Sequence, residues 1–189
     1  MAGQARRLAI HHNQDLPLVD YLLPLIGDKK QVKIADIGSG PFSIIGNKLD
    51  GVDVSVYPSD GHGFESFWKN EGIVPKFHIA VENMEKLSYE DGFFDIVVCN
   101  NALDHTRDAL AAVREMIRVT APGGWVRIDC NLDQLDTGHR HFWNAKEDGM
   151  FISKNSSFDL KKLGFTVKFV DNGGARRYNN IIATFQRGL

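Results

Sequence analysis

Cysteine is scarce. The 189-residue chain has two, Cys99 and Cys130, and no C-x-x-C pair. That excludes a disulfide framework and the thiolate clusters of structural zinc sites, and both thiols read as buried core groups. Long apolar runs are lacking as well: none reaches the roughly 20 residues of a bilayer-spanning helix. The Arg6-Arg7 pair is not followed by the apolar stretch of a secretion signal. A membrane partner is therefore not expected, the expected location is cytoplasmic, and the sequon Asn155-Ser156-Ser157 reads as chance. Neither charge sign is in excess, with 22 Lys and Arg against 24 Asp and Glu. The basic residues fall in scattered pairs rather than a stripe, so nucleic acid is not an expected partner. No repeat, low-complexity tract or Pro/Ser-rich linker divides the chain, and one domain over residues 1–189 is expected.

What is present is an alternation of short apolar runs with helical stretches, the pattern of parallel βαβ units. Leu18, Val19, Leu22, Leu23 and Ile26 predict a helix over 16–26, bent or ended by Pro24. A first strand through Val32, Ile34 and Ile37 runs into Gly38-Ser39-Gly40-Pro41, with a short helix expected over 43–49. Val52, Val54 and Val56 alternate as a second strand ending at Pro58-Ser59-Asp60-Gly61. A helix over 64–70, a third strand over 77–81 and a fourth over 93–99 follow. Leu110, Val113, Met116 and Ile117 give a helix over 108–119, stopped by Pro122-Gly123-Gly124, with a fifth strand over 125–130. A helix over 158–163 capped by Gly164, then a hairpin of strands over 165–170 and 180–185, closes the chain. The expected fold is α/β: a Rossmann-like, doubly wound, seven-stranded sheet, mostly parallel with the last strand antiparallel, and helices on both faces.

The chemistry starts at Ile34-Ala35-Asp36-Ile37-Gly38-Ser39-Gly40, where a strand ends in glycines that let a ligand approach the backbone. Alone this is a weak signal. Asp60 lies twenty residues after Gly40, the spacing at which dinucleotide folds place an acid on ribose hydroxyls. Asp53 is the competing choice, but it sits early in the strand, away from its carboxyl end.

Taken in order, these segments resemble the class I S-adenosylmethionine-dependent methyltransferases, of the type 11-like group. Asp36-Ile37-Gly38-Ser39-Gly40 is similar to their first motif and Asp60 to their ribose-binding acid. Glu82-Asn83-Met84-Glu85 resembles the adenine-framing loop, Phe94-Asp95-Ile96-Val97-Val98-Cys99-Asn100 the fourth motif, and Pro122-Gly123-Gly124 the turn before strand five. The resemblance implies S-adenosyl-L-methionine as cofactor. Gly38, Ser39 and Gly40 would meet its methionine part, and Asp36 would orient that loop or meet the amino group. Asp60 would hold the ribose, Asn83 and Met84 the adenine, and Asn100 would lie near the sulfonium. It also implies a division into an amino-terminal helical segment (1–30), a cofactor-binding core (31–131), an acceptor-binding loop (132–157) and a carboxyl-terminal helix and hairpin (158–189). Two departures stand out. Phe42 replaces a frequent third glycine, where it would either close part of the cofactor site or pack beneath it. The Asn-Pro-Pro-Tyr signature of adenine methylation is absent.

On the acceptor side, Asp104 and His105 follow strand four, and Gly138-His139-Arg140-His141-Phe142-Trp143-Asn144 follows strand five, at the same sheet edge. His141 or His105 is expected as a base, with Asp104 beside them, and His139, Trp143 and Asn144 as acceptor contacts. No metal is expected, although these residues have the composition of one. The expected function is methyl transfer to an oxygen or nitrogen of a small-molecule or sugar-like acceptor. Two rivals remain: a non-catalytic cofactor-binding subunit or scaffold, and a nicotinamide-dependent oxidoreductase. The latter is disfavoured because Ser43 stands where its third glycine belongs.

Overall fold

Strand alternation decides which side of the central sheet each residue meets. In β1 (Gln31–Ile37), Val32 and Ile34 face one way, and Ala35 and Ile37 face the other. In β4 (Phe94–Asn100), Ile96 and Val98 join the first set, and Val97 and Cys99 the second. Each face therefore needs its own cover. The computed structural model of the protein describes residues 16–73, 78–132, 141–172 and 179–189. Within them the first face is covered by Leu18, Leu22 and Ile26, the last on α1 (Leu23–Ile26). The second is covered by Ala112, Val113, Met116 and Val119 of α3 (Ala109–Val119). Asp108 caps α3 by accepting from Ala111 N at 3.0 Å.

The main sheet adds β2 (Asp53–Asp60), β3 (Ala80–Val81), β5 (Thr120–Asn131), β9 (Thr166–Val170) and β10 (Asn180–Gln186). Its order is β3-β2-β1-β4-β5-β10-β9. β1 to β5 run parallel, and β10 runs antiparallel to both neighbours. The doubly wound sheet with its reversed last strand is as expected. The order reverses on either side of β1, which puts a crevice beyond the carboxyl ends of β1 and β4.

Several boundaries differ from expectation. The first helix occupies only 20–26, as a 3-10 turn (Asp20–Leu22) leading into α1, and there is no helix over 43–49. One exchange explains both: residues 16–19 and 45–48 spend their backbones on each other. Leu16 O accepts from Asn47 N and Lys48 N, Leu18 N donates to Lys48 O, and Val19 N to Ile45 O. Pro24 then lies in the first turn of α1, where its missing N–H is not needed. The expected third strand is Ala80–Val81, residues 74–77 lying outside the described ones. The expected helix over 64–70 is α2 (Glu65–Asn70).

β5 begins at Thr120 rather than 125 and runs through Pro122, because a register shift between Phe94 and Ile96 of β4 tolerates a strand proline. The expected helix over 158–163 is a short strand, β8 (Ser157–Asp159), and a 3-10 turn (Lys161–Leu163) closed by Gly164. β8 belongs to a second sheet that sequence reading did not anticipate, ordered β6 (Asn144–Ala145), β7 (Met150–Ile152), β8. This small sheet occupies much of the expected acceptor loop. No described helix is long and apolar enough to cross a membrane.

Candidate active site

The glycine turn is built from backbone. Gly38 and Ser39 both donate to Ser59 O, at 2.8 and 3.0 Å, which clamps the end of β1 to β2. Gly38 and Gly40 have φ of +73° and +65°, the left-handed region that favours glycine. They differ in surroundings. A Cβ on Gly38 would stand 2.3 Å from Ala102 Cβ and 3.1 Å from Met84 Cε, whereas one on Gly40 meets nothing within 4 Å. Gly38 is a packing glycine, and Gly40 borders open space.

Asp60 ties this turn to the end of β2: Oδ2 accepts from Gly40 N at 3.0 Å and Oδ1 from His62 N at 3.1 Å. An ionised carboxylate offers about four acceptor positions, so capacity for a diol remains. Asp53, the competing acid, is the first residue of β2, at its far end. Asp36 is buried near the carboxyl end of β1. Asn83 Oδ1 accepts from Glu85 N at 3.0 Å, fixing the loop after β3. Met84 packs under Gly38 and against the core. Phe42 packs beneath the turn with Trp68 and Ile79, and Trp68 Nε1 donates to Pro41 O at 3.2 Å. A narrow glycine turn, an acid at the end of β2 and open space above Gly40 suit an adenosyl cofactor with a flexible amino acid tail.

Asn100 ends β4, and its Nδ2 donates to the Tyr21 hydroxyl at 3.2 Å. Burial pushes the Tyr21 phenol up to about 12, with the Asp36 carboxylate adding to the rise. The Arg127 guanidinium lies 4.4 Å from the Tyr21 ring centroid. Tyr21 was not singled out from sequence, where it reads as one more residue of a helix. Arg127 left a signal, as a charge inside an apolar strand. Both cysteines are fully buried, and desolvation drives their thiols upward, away from reactivity.

The second half of the site begins at Asn101, whose φ of +51° is the one positive value outside glycine among the described residues. Asn tolerates this region. The turn carries Ala102 under Gly38 and starts a 3-10 turn, Leu103–His105. Asp104 is fully buried, and its Oδ2 meets His141 Nδ1 at 2.5 Å. The His141 and His105 rings lie 4.3 Å apart. The chain after residue 140 is stitched to the same place, with Phe142 N and Trp143 N donating to Asp104 O at 2.8 and 3.2 Å.

Three of the expected acceptor-side residues, Asp104, His105 and His141, thus converge. Their potential ligand atoms lie within 4.8 Å of one another, close enough for an ion. Asp104 Oδ2 and His141 Nδ1 are also hydrogen-bonded to each other.

The other acceptor-side expectations fare differently. Trp143 is buried, its Nε1 donating to Thr106 O at 3.1 Å and its ring edge-on to Phe158, so its indole seals the structure. Asn144 pairs with Ile152 in the small sheet. His139 lies outside the described residues. A cleft of about 600 Å³ opens beside His141, lined also by Arg107, Asp108, Phe142, Trp143 and residues 153–156.

Comparison with known proteins bears on the fold and the class of chemistry. The family described as a methyltransferase domain matches residues 37–128. The match covers just under half of the chain, which over those residues resembles that family. The chain is 31% identical over 100 residues to a ubiquinone/menaquinone biosynthesis C-methyltransferase of Shewanella woodyi, spanning 53% of this chain and 32% of that one. It is 31% identical over 142 residues to norajmaline N-methyltransferase of Rauvolfia serpentina, spanning 71% of this chain and 45% of that one. The chain therefore spans a third to a half of these relatives. A solved methyltransferase from Methanosarcina mazei superposes with a TM-score of 0.56 at 18% identity, over 92% of this chain and all of that one, which shows the fold.

Proposed function

We propose that this protein transfers a methyl group from S-adenosylmethionine to an oxygen or nitrogen of a small-molecule or sugar-like acceptor, with His141 as the base. The observation that carries this reading is the buried Asp104 carboxylate on His141 Nδ1, one turn of chain from the Ala102 that packs under the glycine turn. With Asp104 ionised, His141 carries its proton on Nδ1, and Nε2 is the basic nitrogen. Asp104 fixes the ring and stabilises the imidazolium formed when Nε2 takes the proton of a hydroxyl or amine. The His105 ring lies 4.3 Å from the His141 ring. The glycine turn and Asp60 would hold the methionine part and the ribose. Asn83 and Met84 would frame the adenine, and Asp36 and Asn100 the amino acid tail. The cofactor, when bound, supplies an activated methyl group, so this chain's contribution is alignment and proton removal. The Rauvolfia relative is named as an N-methyltransferase and the Shewanella one as a C-methyltransferase. A positioned imidazole favours the heteroatom, whose proton must leave.

The test is calorimetric titration with S-adenosylhomocysteine beside NAD, followed by a methylation screen of alcohol, amine and activated-carbon acceptors. Micromolar S-adenosylhomocysteine binding with turnover only on alcohols or amines supports the proposal. Turnover on carbon alone overturns the acceptor class. Binding without turnover on any acceptor points to a non-catalytic subunit, and binding of NAD alone overturns the reading.

A further inference from the structure

The cleft beside His141 carries information about the acceptor that the base does not. Its volume of about 600 Å³ lies within the range of small-molecule sites. Three charged side chains line it besides His141: Arg107, Lys154 and Asp108. They are not equivalent. Asp108 Oδ1 is engaged by Ala111 N at the start of α3. Glu85, the nearby acid, is engaged by the backbone N–H groups of Arg107 and Asp108, at 2.7 and 3.1 Å. Both carboxylates thus answer the positive end of the helix. The guanidinium of Arg107 and the ammonium of Lys154 have no hydrogen-bond or ion-pair partner among the described residues. Lys154 sits on the tight turn joining β7 to β8, which Ser153 and Ser156 close on themselves: Ser153 N donates to Ser156 O at 2.8 Å, and Ser156 N to Ser153 Oγ at 3.1 Å. One cation is therefore presented by the start of α3 and the other by the small sheet, on a shared cleft with the base.

We infer that the acceptor carries an anionic group, a phosphate ester or a carboxylate, which Arg107 and Lys154 hold while a hydroxyl or amine of the same molecule is presented to His141. This rests on the methyltransferase reading and names the substrate class for it. Arg offers a planar fork matched to two anionic oxygens, and Lys adds a point charge that adapts to either anion. The unexpected β6–β8 sheet thereby gains a role, as the scaffold that carries Lys154 to the acceptor.

The experiment titrates pyrophosphate, inorganic phosphate and acetate, with glucose as a neutral control, into the full chain saturated with S-adenosylhomocysteine. Binding is followed by NMR through the Trp143 indole N–H and the His141 ring. Saturable shifts with an anion but not with glucose are expected. They should weaken at least about tenfold in the Arg107→Ala/Lys154→Ala double variant, the loss of a charge-assisted contact, and should fall with rising salt. Preference for the phosphates indicates a phosphorylated acceptor, and preference for acetate a carboxylate. No shift with any anion, or equal binding by wild type and double variant, overturns the inference. S-adenosylhomocysteine affinity measured on the same samples separates the two levels. If it is intact while anions fail to bind, this inference falls and the methyltransferase reading stands; if S-adenosylhomocysteine does not bind while anions do, the anion site stands but its assignment to a methyl acceptor falls with that reading. Once an anionic acceptor is found, the double variant should raise KM with kcat largely kept, the signature of lost binding rather than lost chemistry.

Discussion

The two halves of the sheet's carboxyl edge are made in opposite ways. Above β1 and β2 the site is backbone: two left-handed glycines, N–H groups clamped to Ser59 O, and a carboxylate bonded to main chain. Above β4 and β5 it is side chain: a buried aspartate, two imidazoles tilted against each other, and a cleft whose charges come from separate elements. The first kind of site is fixed by where the chain must turn. It suits a ligand common to a whole family. The second depends on which side chains meet across long sequence separations, and can change without disturbing the fold. Ala102 joins the halves, packing under Gly38 from the turn that delivers Asp104 and His105.

The sharpest break in that comparison is His141→Ala. It should lower turnover by about two to four orders of magnitude, the usual contribution of a positioned base, while S-adenosylhomocysteine affinity stays within twofold. Steady-state rates with an acceptor from the screen and a calorimetric titration check it. A loss of cofactor binding would mean that the halves are not separable. Asp104→Asn should also slow turnover, since the amide leaves the His141 tautomer unenforced.

Next in size is Gly38→Ala. Left-handed strain and the 2.3 Å approach to Ala102 together should cost about 2–4 kcal/mol of stability, read as a lowered denaturant midpoint. Gly40→Ala has only the strain term, about 1–2 kcal/mol, and should instead weaken S-adenosylhomocysteine binding. Equal stability losses would erase the distinction between a packing glycine and a ligand-facing one. Asp60→Ala should weaken S-adenosylhomocysteine at least about tenfold, through a charge-assisted contact worth roughly 1.5–3 kcal/mol. Unchanged affinity would move the ribose role away from the end of β2.

The backbone half was the more legible in sequence. Gly38, Gly40 and Asp60 could be named because a strand pattern ending in glycines, with an acid twenty residues on, is a local signal. The helix expected after that turn failed because Asn47 and Lys48 give their N–H groups to Leu16, a long-range choice that periodicity does not encode. The side-chain half was legible only as composition. His105, His141 and Asp104 were named as candidates on one edge, but their contacts cross some forty positions. β6, β7 and β8 are two or three residues each, too short for alternation to register. Trp143, expected to touch the acceptor, lines the cleft while its Nε1 is held by Thr106 O. An amphipathic side chain in a histidine-rich segment reads the same whether it faces ligand or core.

A last variant bears on whether damage elsewhere in the fold spreads to either half. Arg118, near the carboxyl end of α3, donates to Glu115, to Asp91 and to the carbonyls of Leu87 and Tyr89, pinning the chain before β4 to the helix. The Arg118 guanidinium holds the Glu115 carboxyl below its usual range, with the Leu87 N–H assisting. Both side chains are partly solvated, so the ion pairs themselves are worth little, about 0–1 kcal/mol. The lost carbonyl contacts bring the expected cost of Arg118→Ala to about 1–2 kcal/mol. The sign of the pH dependence follows from the lowered Glu115 value. Its contribution is fully present above the unfolded carboxyl range and is lost as pH falls through the folded value. Urea melts at neutral pH should therefore separate wild type from variant, and the gap should narrow as acid protonates Glu115. S-adenosylhomocysteine affinity and the turnover of folded protein should be unchanged, because the bonds lost lie at the opposite end of β4 from the site. A variant that lost affinity or turnover while still folded would show that the carboxyl edge depends on the clamp at its far end, and the division into two independently built halves would fail.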